Sequence, residues 1–330
     1  MNAMKSYWMQ VHDGQGQLEL RDTDVPVPGA GQLLVRVRAA GLNRGEFLLA
    51  HGLHAKGGGN AKAVGTEAAG EVVACGAEVS AWKPGDQVMG RCPGAFAEYV
   101  LMDQREAMRR PSRLSWEEAA AIPLTSMVVH DMLVLQGRLQ ADQWVLVPGV
   151  SSGVGVTAML MAKALGARVI GTSGSQEKLD RLRGLGLDLG LKTRLPDFKD
   201  AVLRATEGQG VNLVINTVGG SVFAECLRCM AFEGRLATVG YVDGVLSADL
   251  DLEALHSKRL TLFGVSNKLR STAQRAQGVP AFIAQILPLI ESGRITPLVD
   301  QVFPFEQLPQ AKAVMDASNH LGKIVLAGLP

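Results

Sequence analysis

A glycine-rich turn near the middle of the chain has residue types and spacing suited to binding a pyrophosphate. Gly149, Gly153 and Gly155 follow an apolar run at 144–147 and precede a helical pattern that ends near Gly166. Glycine permits a tight exit from a strand, a close approach of the backbone to phosphate, and close packing of the helix on the sheet. The free N–H groups at the start of such a helix attract anions. The pattern predicts a dinucleotide site on a βαβ unit, with a tight turn that binds no ligand as the alternative. The predicted turn residues are Gly149, Val150, Ser151, Ser152, Gly153, Val154 and Gly155.

The end of the second strand of this unit indicates which dinucleotide is bound. Sites for NAD usually carry Asp or Glu about 20 residues beyond the glycines, where the carboxylate binds the ribose 2′-hydroxyl. Here small hydroxyl residues occupy that region, and an acidic residue that would repel a 2′-phosphate is missing from it. Hydroxyl and cationic side chains can donate to a 2′-phosphate, so the segment predicts NADP(H). Glu177, one helical turn later, is the alternative as a ribose ligand, and Lys178 could be an ordinary solvated lysine. The predicted ligands of the 2′-phosphate side are Thr172, Ser173, Ser175 and Lys178.

Composition sets the class of protein. The 330 residues are 47% hydrophobic with a net charge of +1, which suits two globular domains and gives no basic excess that would indicate nucleic-acid binding. No apolar run reaches membrane-span length and no signal-peptide pattern is present, so we expect a cytoplasmic protein. The four cysteines do not form a disulfide framework. Cys226 and Cys229 lie in an apolar helical pattern and are predicted to be buried thiols.

The order of the predicted elements indicates two kinds of domain. Short alternating strands separated by turns dominate the first 120 or so residues and predict a compact, barrel-like β domain. Ser115 and Glu118 form a capping-box pattern at a helix start. A helix is predicted at 126–135, another at 279–292, and strands alternate with helices from 144 to 264, which predicts a doubly wound parallel sheet. The predicted division is 1–123, 124–266 and 267–330, with the last part returning to the β domain.

Ligands of doubly wound sheets lie beyond the carboxyl ends of the strands. The residues that follow the later predicted strands are therefore further candidates for contact with the dinucleotide. These are Asn216, Val218, Gly240, Tyr241, Val265 and Ser266.

Six segments, in order and spread over most of the chain, resemble the medium-chain dehydrogenase/reductases, in their zinc-free quinone oxidoreductase branch. They are 37–43, 65–70, 83–86, 94–99, 118–125 and 149–155. The resemblance implies an α/β protein with a GroES-like β-barrel catalytic domain and a Rossmann domain, with the active site in the cleft between them. It also implies hydride transfer from NADPH to a small molecule, and a homodimer for which the edge strand at 260–264 is the candidate contact.

The resemblance also implies that no metal is bound. Zinc alcohol dehydrogenases carry Cys near the position of Asn43 and His at the position of Thr66, and a catalytic zinc needs about three protein ligands. Without zinc, acceptors that need less polarisation are favoured, which points to quinones and α,β-unsaturated carbonyls. Hydrogen-bond donors would stabilise the developing oxyanion. The resemblance places Asn43 and Thr125 near nicotinamide and substrate, with a turn-holding Asn43 and a helix-capping Thr125 as alternatives.

Several positions depart from the family pattern. His54 stands where many relatives have Tyr, and it could serve as a proton donor near neutral pH. Thr193 replaces a Tyr that flanks the adenosine, and its neighbours Lys192 and Arg194 could bind a 2′-phosphate. Arg91 is either a substrate-selecting charge or a surface arginine. The alternative functions are reduction of another carbonyl or an enoyl thioester, or a non-catalytic NADPH sensor or RNA-binding protein.

Overall fold

The computed structural model describes residues 3–12, 15–47 and 61–328, except for the side chains of 11, 12 and 15. The chain divides into two compact units. The mixed-sheet unit takes in the described residues up to Met127, Lys268–Glu291, and those from Pro297 onward. The parallel-sheet unit takes in Val128–Asn267 and Ser292–Thr296. The domain boundaries expected after residues 123 and 266 remain a prediction.

The mixed-sheet unit contains two sheets. A small sheet has the order β2-β1-β4, and a larger one has the order β15-β16-β3-β5-β6-β8, with β7 also paired to β3. Neighbouring strands are antiparallel except for the parallel pair β15 and β16. The strands are β1 (Ala3–His12), β2 (Gln15–Asp24), β3 (Gln32–Gly41), β4 (Ala61–Ala63), β5 (Glu67–Cys75), β6 (Gln87–Arg91), β7 (Tyr99–Asp103), β8 (Ala107–Arg109), β15 (Val299–Pro304) and β16 (Lys323–Ala327).

The core of this unit is apolar and aromatic. Phe96 and Phe305 are fully buried, and the ring of Tyr7 meets Phe305 edge-on at 5.2 Å between centroids. The Tyr7 hydroxyl donates to the carbonyl of Glu306 at 2.9 Å. The C-terminal part of the chain thus contributes to the core that the N-terminal strands begin.

The helices differ from the predicted ones mainly at their ends. The capping box at Ser115 is confirmed, because its hydroxyl accepts from the N–H of Glu118 at 3.2 Å and its own N–H donates back to that carboxylate at 2.9 Å. The predicted helix 126–135 is wrong in its bounds, since an α-helix begins at Pro123, where proline suits the first turn, and a π-helical stretch replaces its end. The predicted helix 279–292 is two helices. The elements are α1 (Trp116–Ala120), α2 (Pro123–His130), the π-helical Asp131–Leu135, α8 (Thr272–Ala276), α9 (Val279–Gln285), α10 (Leu287–Glu291) and α11 (Leu308–Asp316).

The parallel-sheet unit is the predicted doubly wound fold. Its strand order is β11-β10-β9-β12-β13-β14, and all neighbouring strands are parallel. This order is the one that dinucleotide-binding sheets have. The strands are β9 (Trp144–Pro148), β10 (Arg168–Ser173), β11 (Leu189–Lys192), β12 (Val211–Asn216), β13 (Met230–Thr238) and β14 (Thr261–Gly264). The helices are α3 (Gly153–Ala164), α4 (Gln176–Arg183), α5 (Lys199–Ala205), α6 (Phe223–Arg228) and α7 (Leu252–Ser257).

The cysteine pair of α6 is buried, as predicted. Cys226 and Cys229 have no exposed surface and lie in the core of the parallel-sheet unit. Burial raises the pKa of Cys229 to about 12 and that of Cys226 well above its usual value. Both side chains therefore act as small apolar groups. None of the helices in the described ranges is long and apolar enough to cross a membrane.

Candidate active site

The glycine-rich turn between β9 and α3 leaves no room for side chains at its closest contacts. Gly149 has φ +71°, a conformation that glycine adopts without strain. A Cβ on Gly155 would lie 2.5 Å from the carbonyl oxygen of Gly149 and 2.7 Å from the Cα of Val150. The Ser152 side chain caps α3 by accepting from the N–H of Gly155 at 3.1 Å. The turn therefore has the close backbone approach and helix start that a pyrophosphate requires.

The end of β10 holds this turn in place. Thr172 is buried; its hydroxyl accepts from the N–H of Gly149 at 3.3 Å and its carbonyl accepts from the N–H of Val150 at 3.0 Å. The hydroxyl oxygens of Ser151 and Ser173 lie 3.1 Å apart. Thr172 thus supports the glycine-rich turn. The contact between Ser151 and Ser173 joins the turn that follows β9 to the end of β10.

The predicted 2′-phosphate side is lined by donors. Ser175 caps α4 by accepting from the N–H of Lys178 at 3.3 Å, which leaves its own hydroxyl proton able to donate. A Cβ on Gly174 would overlap the side chain of Arg194, so this glycine lets the arginine lie over the loop. Glu177 is exposed in the first turn of α4. The hydroxyls and Arg194 are suited to a phosphate and fit the cofactor that the sequence predicts.

Other predicted residues follow the remaining strand ends of the same parallel sheet. The side chain of Asn216 is buried and holds its own loop: its oxygen accepts from the N–H groups of Val218 and Gly219, both at 3.0 Å, and its amide donates to the carbonyl of Gly219 at 2.9 Å. Asn216 therefore fixes the backbone of the loop that follows β12. The residues after β13 and β14 include exposed Tyr241 and Ser266, buried Val265, and Gly240.

The mixed-sheet unit contains a buried polar cluster, which we call the Lys323 network. Lys323 is 5% exposed and Glu67 is fully buried, and the ammonium donates to the carboxylate at 2.7 Å. The ammonium also donates to the side-chain oxygen of Asn43 at 2.8 Å, the carbonyl of Leu42 at 2.9 Å and the hydroxyl of Thr125 at 3.2 Å. The network is made of Leu42, Asn43, Glu46, Thr66, Glu67, Thr125 and Lys323.

The side-chain amide of Asn43 is fully used within this network. Its nitrogen donates to Glu67 at 2.8 Å and to Glu46 at 3.2 Å, while its oxygen accepts from Lys323. Lysine can only donate and a carboxylate accepts, so the orientation of the amide is fixed by chemistry. Asn43 cannot donate to a ligand without losing one of these bonds. The structure therefore favours a positioning role for Asn43 over direct donation to a substrate.

Thr125 makes two long hydrogen bonds within the network. Its hydroxyl donates to Asn43 at 3.3 Å and accepts from Lys323 at 3.2 Å, whereas the three other acceptors of Lys323 lie at 2.7 to 2.9 Å. An ammonium has three protons, so its contact with Thr125 is the weakest of the four. The Thr125 hydroxyl can therefore turn its proton to another acceptor at small cost. It is the member of the network best suited to donate to a substrate oxygen.

Glu46 is a buried acid within the same network. Its carboxylate accepts from Thr66 and from the backbone N–H of Asn43, the latter at 2.9 Å. Burial raises its pKa to about 7, against the lowering effects of these hydrogen bonds and of the charge on Lys323. Local sequence patterns did not predict Glu46, Glu67 and Lys323 as residues of the site. A lysine at the start of the apolar run 323–327 was the available signal, because buried charges are rare unless paired.

Two further predictions concern metal binding and proton transfer. The described part of the chain holds no group of three or more His, Cys, Asp or Glu that could bind a metal ion. His54, the predicted proton donor, lies outside the described residues.

Comparison with known proteins identifies the family. The model for alcohol dehydrogenase GroES-like domains matches residues 29–112, and the model for zinc-binding dehydrogenases matches residues 153–279. A quinone oxidoreductase from Pseudomonas syringae pv. tomato DC3000 is 26% identical, with a TM-score of 0.87, over 98% of this chain and 100% of that chain. The mycobacterial protein Rv1454c, solved in complex with NADPH, gives the same identity, TM-score and coverage. The chain belongs to the medium-chain dehydrogenase/reductase superfamily.

Membership of this superfamily makes the chain an oxidoreductase with a GroES-like and a nucleotide-binding domain. It is also 32% identical over 311 residues to a mycocerosic acid synthase-like polyketide synthase of Mycobacterium tuberculosis. This match covers 94% of the chain and 15% of the synthase, and a second polyketide synthase, from Glarea lozoyensis, is matched over 12% of its length. The chain therefore corresponds to a small part of these curated relatives.

The raised pKa of Glu46 gives a prediction about stability. Between its ordinary pKa of 4.5 and about 7, the folded protein holds a proton that the unfolded chain releases, so the free energy of unfolding should fall as pH rises through this window. Glu46→Gln removes the titration. We expect the stability of wild type relative to Glu46→Gln to fall by about 1.4 kcal/mol for each pKa unit of the shift. Urea denaturation at pH values across the window measures this difference.

The matched control is Glu291→Gln, which alters an exposed carboxylate of the same unit. Its stability difference from wild type should stay constant over the window. A difference for Glu46→Gln that is equally constant would contradict the assignment of a raised pKa to Glu46.

Proposed function

We propose that the chain is an NADPH-dependent, zinc-independent reductase that adds hydride to a carbon–carbon double bond conjugated to a carbonyl group. The observation that carries the proposal is the Lys323 network, in which the Thr125 hydroxyl makes long hydrogen bonds and would be the donor to a carbonyl oxygen. Quinones are one class of such acceptors, and enoyl thioesters are another.

The predicted preference for NADPH is supported by the side chains around the β10 end. Ser173, Ser175 and Arg194 supply donors there, and the glycine at 174 makes room for Arg194. The mycobacterial relative solved with NADPH supports the same cofactor. When bound, NADPH would supply the hydride for the β-carbon of the acceptor.

The residues of the Lys323 network would act on the acceptor's oxygen. Hydride addition at the β-carbon moves electron density onto the carbonyl oxygen, and a hydrogen bond from Thr125 would stabilise this charge. As Thr125 donates to the substrate, its oxygen can accept more strongly from Lys323. In an enone or enoyl thioester the α-carbon would then take a proton from water, and in a quinone the oxygens would take the protons, so that each acceptor gains two electrons as one hydride.

The zinc-independent part of the proposal is supported by residue types. The positions where zinc alcohol dehydrogenases carry ligands hold Asn43 and Thr66, whose side chains are engaged with Lys323 and Glu46. The cation that the oxygens of Asn43, Glu67 and Thr125 face is the ammonium of Lys323. Polarisation of the substrate would then come from hydrogen bonding.

Two observations favour different substrates within this class. The matches to polyketide synthases favour an enoyl thioester. The likeness to a bacterial quinone oxidoreductase favours a quinone. Both acceptors accept hydride at a carbon conjugated to oxygen, so the same network would serve either of them.

Initial rates of NADPH and NADH oxidation test the proposed function. We expect turnover with NADPH, in the presence of EDTA, with at least one of three acceptors: an enone, a crotonyl thioester and a benzoquinone. Faster turnover of the thioester would assign the enoyl substrate, and faster turnover of the benzoquinone would assign the quinone. Loss of activity in EDTA that added zinc restores would contradict zinc independence. Binding of NADPH with no turnover of any acceptor would favour a non-catalytic role.

Arg194 gives a prediction about cofactor choice. Arg194→Met should raise KM for NADPH by about tenfold or more, because a hydrogen bond to a charged group contributes about 1.5–3 kcal/mol. KM for NADH should change little, since NADH lacks the 2′-phosphate. The control is Arg204→Met, an exposed arginine of α5 in the same unit, which should leave both constants unchanged. Equal changes for NADPH and NADH would rule out a 2′-phosphate contact.

A further inference from the structure

Arg91 lies on the same face of the larger sheet as the Lys323 network. It is the last residue of β6 and stands directly opposite Glu67 of β5 in the antiparallel register. Opposed residues of an antiparallel pair project from the same face, with Cβ atoms about 4.5–5.5 Å apart. Glu67 nevertheless uses its carboxylate on Lys323, Asn43 and the backbone N–H of Leu124. Arg91 is thus a neighbour of the network without being bound by it.

The charge of Arg91 has no partner among the described residues. Its Nε is buried without a hydrogen bond, and no carboxylate of these residues pairs with its guanidinium. Arg38 of β3 makes a useful comparison, because its Nε is also buried and unbonded. The guanidinium of Arg38, however, donates to Glu71 at 2.8 Å. Among the residues that the structure describes, Arg91 lacks such a compensating contact.

The acidic groups near Arg91 are already engaged. Glu106 accepts from Arg275 at 2.9 and 3.3 Å, and this pair is largely buried. Glu46 accepts three hydrogen bonds within the Lys323 network, and its pKa of about 7 leaves it partly neutral. Within the described part of the chain, neither acid makes a hydrogen bond to the Arg91 guanidinium.

The surroundings make the free charge costly. Burial lowers the pKa of Arg91, and repulsion from Arg275 lowers it further, against the attraction of Glu106 and Glu46. Arg91 is half-buried, so its charge is partly removed from water, and an opposite charge bound to it would offset that cost. A guanidinium matches the two oxygens of a carboxylate, or those of a phosphate, in a fork of parallel hydrogen bonds.

We propose that Arg91 binds an oxyanion carried by the substrate, so that the site selects conjugated carbonyl compounds that also bear a carboxylate or a phosphate. This inference rests on the proposed function, because it takes Thr125 as the group that meets the carbonyl. The carbonyl would meet Thr125, while the anionic group extends toward the end of β6. The free guanidinium would then complete its hydrogen bonds on the substrate.

A matched set of enones tests the proposal. The probes are 6-oxohept-4-enoate, its methyl ester, and the phosphate monoester of the corresponding alcohol. With NADPH, wild type should have a kcat/KM at least about tenfold higher for one of the anions than for the ester, as expected for a charge-assisted hydrogen bond. Preference for the carboxylate or for the phosphate monoester identifies the source of the oxyanion.

Arg91→Met separates charge recognition from a structural role. It should lower kcat/KM for the preferred anion by about ten- to hundredfold and leave the ester within about twofold, so that selectivity disappears. Arg38→Met, which removes an arginine of the same sheet whose charge is already paired, should keep the selectivity of wild type. Equal losses on anion and ester in Arg91→Met, or a preference of wild type for the ester, would overturn the proposal.

A binding measurement distinguishes failure of this inference from failure of the proposed function. If wild type reduces none of the three probes, titration calorimetry with the saturated 6-oxoheptanoate still reports on Arg91. Binding to wild type that is lost in Arg91→Met and kept in Arg38→Met would support the anion site while rejecting the reductase assignment. Absence of binding to wild type, or equal binding to Arg91→Met, would overturn the anion site.

Discussion

A buried ion pair between Lys323 and Glu67 organises the candidate site of the mixed-sheet unit. Moving two charges out of water costs several kcal/mol for each ion, and their attraction offsets this cost only when the remaining hydrogen bonds are satisfied. Here they are: Lys323 has four oxygen acceptors, and Glu67 accepts from Lys323, Asn43 and the backbone of Leu124. The pair joins residues 256 positions apart and holds Asn43 and Thr125 in one arrangement. It can form because β16 pairs with β3, which places Lys323, the first residue of β16, near the end of β3.

The candidate sites of the two units differ in whether backbone or side-chain groups form them. In the parallel-sheet unit, the site is a backbone feature, in which Gly149 and Gly155 allow close contact and Ser152 caps α3. In the mixed-sheet unit, the site consists of side chains, and the free energy of the arrangement is dominated by charge and hydrogen bonding. Substitutions of the glycines should therefore act through shape, whereas substitutions in the Lys323 network should act through electrostatics.

This difference between backbone and side-chain sites explains which parts of the molecule could be predicted from the sequence. The glycine turn, the capping box at Ser115 and the alternation of strands with helices are local patterns, and the structure confirms the elements that they predict. The Lys323–Glu67 pair depends on contacts between distant segments, which no local pattern reveals. For the same reason the family resemblance could place Asn43 near the substrate but could not show that both of its amide hydrogens are engaged by Glu46 and Glu67. The helix bounds that differ from the prediction coincide with prolines, since Pro123 begins α2 and Pro288 lies in the first turn of α10.

If Lys323 acts on the substrate through Thr125, the two residues should be coupled in a double-mutant cycle measured in kcat/KM. The variants are Thr125→Val, Lys323→Gln and the double substitution, assayed with NADPH and the preferred acceptor after circular dichroism has shown that each is folded. Removal of one hydrogen-bond donor to a developing oxyanion typically costs about 10²–10³ in rate. We expect Thr125→Val to lower kcat/KM by this order, and the double variant to be no slower than the slower single variant. Losses that multiply in the double variant would show that Lys323 and Thr125 act independently and would contradict the action of Lys323 through Thr125.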